Sequence, residues 1–414
     1  MKKVALSLAG ILAAAAFAPE ASAVPVFARQ TGMACNACHF QHFPLLNGFG
    51  RAFKASGFTL MGAQTKVEGE HLSIPSTLNM GVLATAYYQT QSGNAAFPAG
   101  AGKWGVPGSG GELSLFYGGR INDFAGFLSE LGAAGAAGAA ATGAAKMPIL
   151  FEVGDNRIGL VAYTGGQGAA YSFENLNTGA AGVHKLMGNT GPANQHVNAT
   201  SAAQWLGTKT NATGLSLVAV NPNLGFVNIG KWEAAGPGTA IAQALPLTYA
   251  RVAATLDLAG WDVGFGVQSF SGTSNMPLAV IAMPNTYKAT VFDGQMQGQV
   301  GGMPLGVYAS YGSAPASTAA SVNGFNAGVA NSASSFNVAG ELGVIPGKAT
   351  VQAAYRNAKT GGGLKDNALM VAATYELSMN MEVSLHYTTQ SGSAWNGVGL
   401  VGKNATTLLL ETLF

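Results

Sequence analysis

The sequence predicts an all-β transmembrane barrel of about 16 antiparallel strands, preceded by a small N-terminal α-helical domain that acts as a plug. Three observations predict this. The chain is poor in charge, yet past its first residues it has no long apolar run. Its apolar residues alternate with period two between connections of two contrasting lengths. Both of its cysteines fall in one short N-terminal stretch.

Of the 414 residues, 59 are glycine and 9% are charged, against roughly 25% charged in an average soluble domain. A helical membrane span needs about 20 consecutive apolar residues, and none follows the N-terminus. A surface so weakly held by charge belongs either to a large secreted β protein or to a barrel whose outer face meets lipid. The formal net charge of +2 gives no basic footprint, which excludes nucleic acid as a partner.

The N-terminus sets the compartment. Lys2 and Lys3 precede the apolar run Val4–Ala18, and Ala21-Ser22-Ala23 is a small-residue cleavage site. Residues 1–23 therefore read as a secretory signal peptide. The mature chain is expected to start at Val24, with residues 24–78 as the N-terminal domain and 79–414 as the barrel.

Cys35-Asn36-Ala37-Cys38-His39 is a C-x-x-C-H pattern, the signature of c-type haem attachment. Thiols one helical turn apart reach the two vinyl groups on one porphyrin edge, and His39 follows as the proximal axial ligand to the haem iron. One haem c is expected, bonded to Cys35 and Cys38. The competing readings fit less well. A redox dithiol gives His39 no role, a zinc site lacks a second ligand pair, and a disulfide across two residues is strained. After Pro44, residues Leu45, Leu46, Phe49 and Phe53 recur at helical spacing, and that face could seal the haem from water. Arg51 and Lys54 lie off the stripe and could pair its propionates. His42 shares the side of His39 and cannot easily reach the far face. For the distal ligand, Met61 is the first candidate and His71 the second, with Met80 also far enough downstream to loop over.

From Asn79 onward the pattern is that of strands. In "WDVGFGVQ", Trp261, Val263, Phe265 and Val267 share one face, and Asp262, Gly264, Gly266 and Gln268 the other. "MEVSLHYT" sets Met381, Val383, Leu385 and Tyr387 against Glu382, Ser384, His386 and Thr388, and "KATVQAAYR" sets Val351 and Tyr355 against Gln352 and Arg356. Tight connections fall at 118–121, 154–156, 221–224, 257–260, 301–304, 344–346 and 378–380. Long ones rich in Gly, Ala, Ser and Asn fall at 90–110, 132–147, 165–212, 233–245, 271–285, 312–334, 357–366 and 390–404. Strict alternation of short and long suits a barrel with short periplasmic turns and long outer loops. The chain closes on "TTLLLETLF", with Leu408, Leu410, Thr412 and Phe414 on one face and an aromatic terminus. No Asp, Glu or His cluster has metal-ligand spacing; Glu382 and His386 read as polar lumen lining.

The segment "PVFARQTGMACNACHFQHFPLLNGFGRAFKASGFTL" resembles the N-terminal signature of the fused monohaem cytochrome–porins of the outer membrane, the iron oxidases of iron-oxidising bacteria. The matching positions are Phe27–Arg29, Thr31 and Gly32, Cys35–His39, Pro44–Leu46, Phe49–Lys54 and Gly57–Thr59. The resemblance implies an electron conduit in the Gram-negative outer membrane: an iron(II):cytochrome c oxidoreductase that takes electrons from extracellular Fe(II) and passes them to a periplasmic c-type cytochrome. Two other readings stay open. One is a porin-like channel whose haem-bearing plug serves another donor or nutrient uptake; the other is a haem enzyme on a secreted β scaffold.

Overall fold

The computed structural model describes residues 25–62, 64–91, 102–132, 143–179, 201–237, 241, 245–275, 285–396 and 403–414. The expected signal peptide and residues 133–142 of the Gly-Ala run lie outside them.

Alternating inward and outward side chains close into an antiparallel barrel. Its strands are β1 (Met80–Gln91), β2 in two pieces (Gly102–Pro107 and Leu113–Arg120), β3 (Gly126–Gly132), β4 (Gly143–Val153), β5 (Asn156–Gly165), β6 (Ala212–Asn221), β7 (Gly225–Glu233) and β8 (Leu247–Leu258). There follow β9 (Trp261–Ser271), β10 (Ala289–Val300), β11 (Met303–Ala314), β12 (Ala333–Ile345), β13 (Ala349–Lys359), β14 (Lys365–Ser378), β15 (Met381–Ser391) and β16 (Asn404–Leu413). Counting β2 once, the wall has 16 strands. Strand β16 pairs with β1 from Ala405↔Gln91 to Leu413↔Leu83, so the sheet has no free edge for lipid to strand.

The tight turns gather at one end. Gly301 and Gly302 join β10 to β11 with φ of 59° and 81°, a conformation that glycine adopts without steric cost and that matches the twist of a two-residue hairpin. This end is periplasmic by the usual asymmetry of such barrels. The carboxy-terminal Phe414 lies there, exchanging backbone hydrogen bonds of 2.7 and 3.0 Å with Val82.

The two faces of the wall differ as their alternation requires. Leu217, Ile229, Val252, Phe265, Phe292, Leu385 and Leu408 point outward and are exposed. Arg251, Gln268, Asp293, Asn337, Glu341, Gln352 and Arg356 point inward and are buried. In water the outer belt would be a large hydrophobic liability; in lipid it is the anchoring surface. Phe265, midway along β9 and 52% exposed, tests this. Phe265→Arg is expected to destabilise the bilayer-embedded barrel by about 2–4 kcal/mol, read as a lower urea midpoint. An unchanged midpoint would remove Phe265 from the lipid belt.

The lumen is filled from both ends. From the periplasmic end come three short helices, α1 (Pro25–Thr31), α2 (Cys35–Cys38) and α3 (Gly48–Ala55). From the opposite end, the described parts of the connection between β5 and β6 (166–179 and 201–211) fold inward. The connection's residues Ala169, Ala170, Phe173 and Leu176 are buried, and it carries α4 (Ala202–Leu206). Ser201 and Gln204 cap that helix reciprocally, and the Ala202 N–H donates to Ser310 Oγ on β11 at 2.7 Å. Below the helices, a hairpin (Lys66–Gly69 with Leu72–Pro75) stands apart from the wall.

Candidate functional site

The C-x-x-C-H residues form a single turn, α2, with His39 following in extended conformation. Cys35 and Cys38 are half-buried and not joined to each other. Burial pushes the Cys35 thiol up to about 12, with the charge of Glu376 adding to the shift, and burial raises Cys38 as well. A redox dithiol needs the opposite, a thiol made acidic by its surroundings. These are protected thiols, held one turn apart.

His39 is fixed through one ring nitrogen. Its Nδ1 lies 3.1 Å from the Leu45 carbonyl oxygen, and a backbone bridge pairs His39 with Leu46. Anchoring Nδ1 on a carbonyl sets the tautomer that leaves Nε2 as the ligating atom. Burial lowers the His39 pKa to about 4, so the ring is neutral near neutral pH, the form that binds metal. Helix α3 presses on the motif at Gly50, where a Cβ would meet the Cys38 carbonyl oxygen at 2.1 Å. Any larger side chain there would push the helix off the cysteine turn. The unpaired thiols and the oriented, neutral imidazole fit a c-type haem.

The surrounding residues divide differently from the helical stripe predicted above. Asn47 caps α3 by accepting the Gly50 N–H at 2.9 Å, so the helix starts after Leu45 and Leu46. Leu45 instead packs on wall residues Tyr308, Ala339, Ala354 and Met370. Phe53 is buried against Phe27 and Phe58, with ring centroids 4.9 and 6.0 Å away, whereas Phe49 is 41% exposed. Arg51, expected near a propionate, turns to the wall: its Nη2 donates to Asp262 Oδ2 at 2.5 Å. A carboxylate on the inward face of β9 is the nearer counter-charge. Of the distal candidates, His71 sits at the tip of the separate hairpin with its side chain 92% exposed. Met61 is half-buried and adjoins Gly62, whose N–H donates to the Gln30 carbonyl.

The residues that dock this segment carry no signal in the sequence. His42 Nε2 lies 2.6 Å from Glu341 Oε1 on β12, and Gln41 donates to the Glu341 carbonyl at 3.2 Å. Gln30 donates to the Phe58 and Leu60 carbonyls and accepts the Arg120 N–H. Alternation places Asp262 and Glu341 inward, but nothing in it names their partners. Asn177 of the inward loop accepts the Leu46 N–H at 2.8 Å and donates to the Leu46 carbonyl at 3.0 Å. Asn177→Ala is expected to cost about 1–2 kcal/mol of loop docking, seen as faster protease cleavage of the loop in folded protein. Unchanged cleavage would mean the pair does not hold the loop.

Sixteen antiparallel strands, tight turns at one end and an apolar outer belt define the class: an outer-membrane β-barrel of the Gram-negative type, with a porin-like wall. Among solved structures the chain is similar to the outer membrane channel DcaP of Acinetobacter baumannii, at 12% identity and TM-score 0.50 over 81% of this chain and 97% of that one. OmpT of Vibrio cholerae aligns at 9% identity and TM-score 0.49 over 84% and 100%. OmpF of Salmonella typhi, in complex with daunomycin, aligns at 12% and 0.48 over 84% and 100%. At these identities the likeness is one of fold. No family model and no curated protein matches the chain.

Proposed function

We propose that the protein is an outer-membrane electron conduit, which oxidises extracellular Fe(II) by one electron and reduces a periplasmic c-type cytochrome. The observation that carries this reading is the pairing of unjoined Cys35 and Cys38 with a neutral His39 held at Nδ1, in a segment ion-paired to the barrel wall. Cys35 and Cys38 would tether one haem c and His39 would ligate its iron, with Met61 the first candidate for the far side. Bound there, the haem supplies a one-electron ferric–ferrous couple. The chain's own part is positional. Leu45 packs on wall residues five to eight positions from the turn ends of their strands, roughly 16–26 Å along them, so the segment stands within the barrel. The periplasmic end is where a soluble acceptor can approach.

The test is reduction of the purified, haem-loaded protein by Fe(II), followed by reoxidation with a soluble periplasmic cytochrome. Reduction within seconds and reoxidation on adding the cytochrome are expected. A haem that dithionite reduces and Fe(II) does not would rule out iron as donor. The nutrient-channel alternative expects free passage of sugars in liposome swelling. The segment and loop that meet in the lumen speak against it.

A further inference from the structure

A cavity lies where the N-terminal segment meets the inward loop, lined among others by Pro44, Leu46, Lys54, Lys146, Glu174 and Asn175. Its charges do not balance. Lys146, on the inner face of β4 and 5% exposed, donates to the Tyr171 carbonyl at 3.0 Å and lies 4.1 Å from the Tyr171 ring centroid. An ammonium offers three donors, and this contact uses one. Lys54 makes no hydrogen bond or ion pair among the described residues, and the two ammoniums are close enough to repel each other. The one carboxylate lining the cavity, Glu174, is shared: it receives Arg251 at 3.0 and 3.1 Å and the Leu176 N–H at 2.9 Å, and Arg251 also pairs Asp293, so three cations here face two carboxylates. Asn175, 6% exposed, also lines the cavity, and its unpartnered Oδ1 is an acceptor that calls for a donor such as a lysine ammonium.

We propose that Lys54 and Lys146 form an anion site inside the barrel that takes a carboxylate or phosphate group. Two cations facing one cavity, Lys146 buried and Lys54 half-buried, are unfavourable unless an anion completes them. Burial lowers the Lys54 pKa, with Glu174 opposing; a bound anion would reverse that. Two sources share this chemistry. Lys54 stands one helical turn beyond Gly50, which touches Cys38, so a propionate of the tethered porphyrin is one source, and it rests on the haem reading. A free anion entering the barrel is the other.

The experiment has two arms on full-length protein, with Lys54→Met, Lys146→Met and the charge-keeping Lys54→Arg. Heat-modifiable gel migration checks assembly, and Gln replaces Met if either Met variant fails to assemble. In haem-loaded protein, a propionate source predicts a lower midpoint potential in both Met variants, because a nearby cation favours the reduced, more negative state. Lys54→Arg keeps the wild-type value. In the haem-free Cys35→Ser/Cys38→Ser chain, titration with inorganic phosphate is expected to saturate, with affinity falling about tenfold or more in each Met variant. Phosphate binding with unmoved potentials assigns the site to a free anion. Unmoved potentials and no saturable phosphate binding overturn the proposal. If the wild-type chain carries no haem, the haem reading fails and the phosphate arm decides this one.

Discussion

Replacing Cys35 and Cys38 together by serine is expected to give a barrel that assembles normally and has no colour. Thioether tethering needs both sulfurs, so the loss of covalent haem should be complete. The wall should be untouched, because neither thiol supports it: they are half-buried, unjoined, and flanked by contacts that serine preserves, such as the His39 N–H to the Cys35 carbonyl. His39→Ala separates tethering from ligation, since haem should stay bonded while its axial spectrum changes. The measurements are haem stain on a denaturing gel, the pyridine haemochrome spectrum, and gel migration with and without heating. A double-serine chain that keeps covalent haem would overturn the assignment, as would a wild-type chain purified without colour after maturation in the periplasm.

The largest effect on stability is expected at Arg251. Its side chain is fully buried on the inner face of β8 and bonds both Glu174 of the inward loop and Asp293 of β10, the latter at 2.5 and 2.9 Å. Thr178 of the same loop donates to Asp293 at 2.7 Å. Arg251→Met leaves two carboxylates buried without their cation, a change that costs about 3–5 kcal/mol when one partner of a buried pair is removed. Strain of that size should release the loop that Glu174 and Thr178 hold down. The expected result is a lower thermal midpoint, together with larger or noisier single-channel conductance in planar bilayers. Adding Glu174→Gln and Asp293→Asn removes the stranded charges and should recover much of the stability. If Arg251→Met melts and conducts like wild type, the loop is held elsewhere.

Much of the wall was legible in the sequence because a barrel strand obeys a local rule. Its side chains alternate, and each reversal near the periplasm needs a tight turn. Thus Trp261 to Gln268 and Met381 to Thr388 took the faces that period two assigned, and the turn at Gly301 and Gly302 fell where glycines permit it. The first piece of β2, Gly102–Pro107, was missed because it lies inside the connection assigned to 90–110 and its Gly- and Pro-rich sequence shows no clear alternation. The interior was hidden for a different reason. The segment 165–212 reads only as a long polar loop, and the inward fold of its described residues 166–179 depends on Arg251, Gln295 and Asn228, which lie far away in sequence. Likewise Arg51 carried no mark that Asp262 would claim it. Composition gives the lumen its polarity, but which polar groups meet is set once the wall has closed.

The cysteine turn is hemmed in by α3, with Gly50 against Cys38 and a wall around both. On the proposed haem reading, the enzyme that forms two thioethers must approach both sulfurs, and an inserted barrel would narrow its approach. Biogenesis should therefore run in a fixed sequence, with porphyrin attached while the chain is still in periplasmic transit and insertion following. Pulse-labelled chains should acquire haem before they become heat-modifiable, and a strain starved of porphyrin should accumulate barrels that later supplementation cannot load.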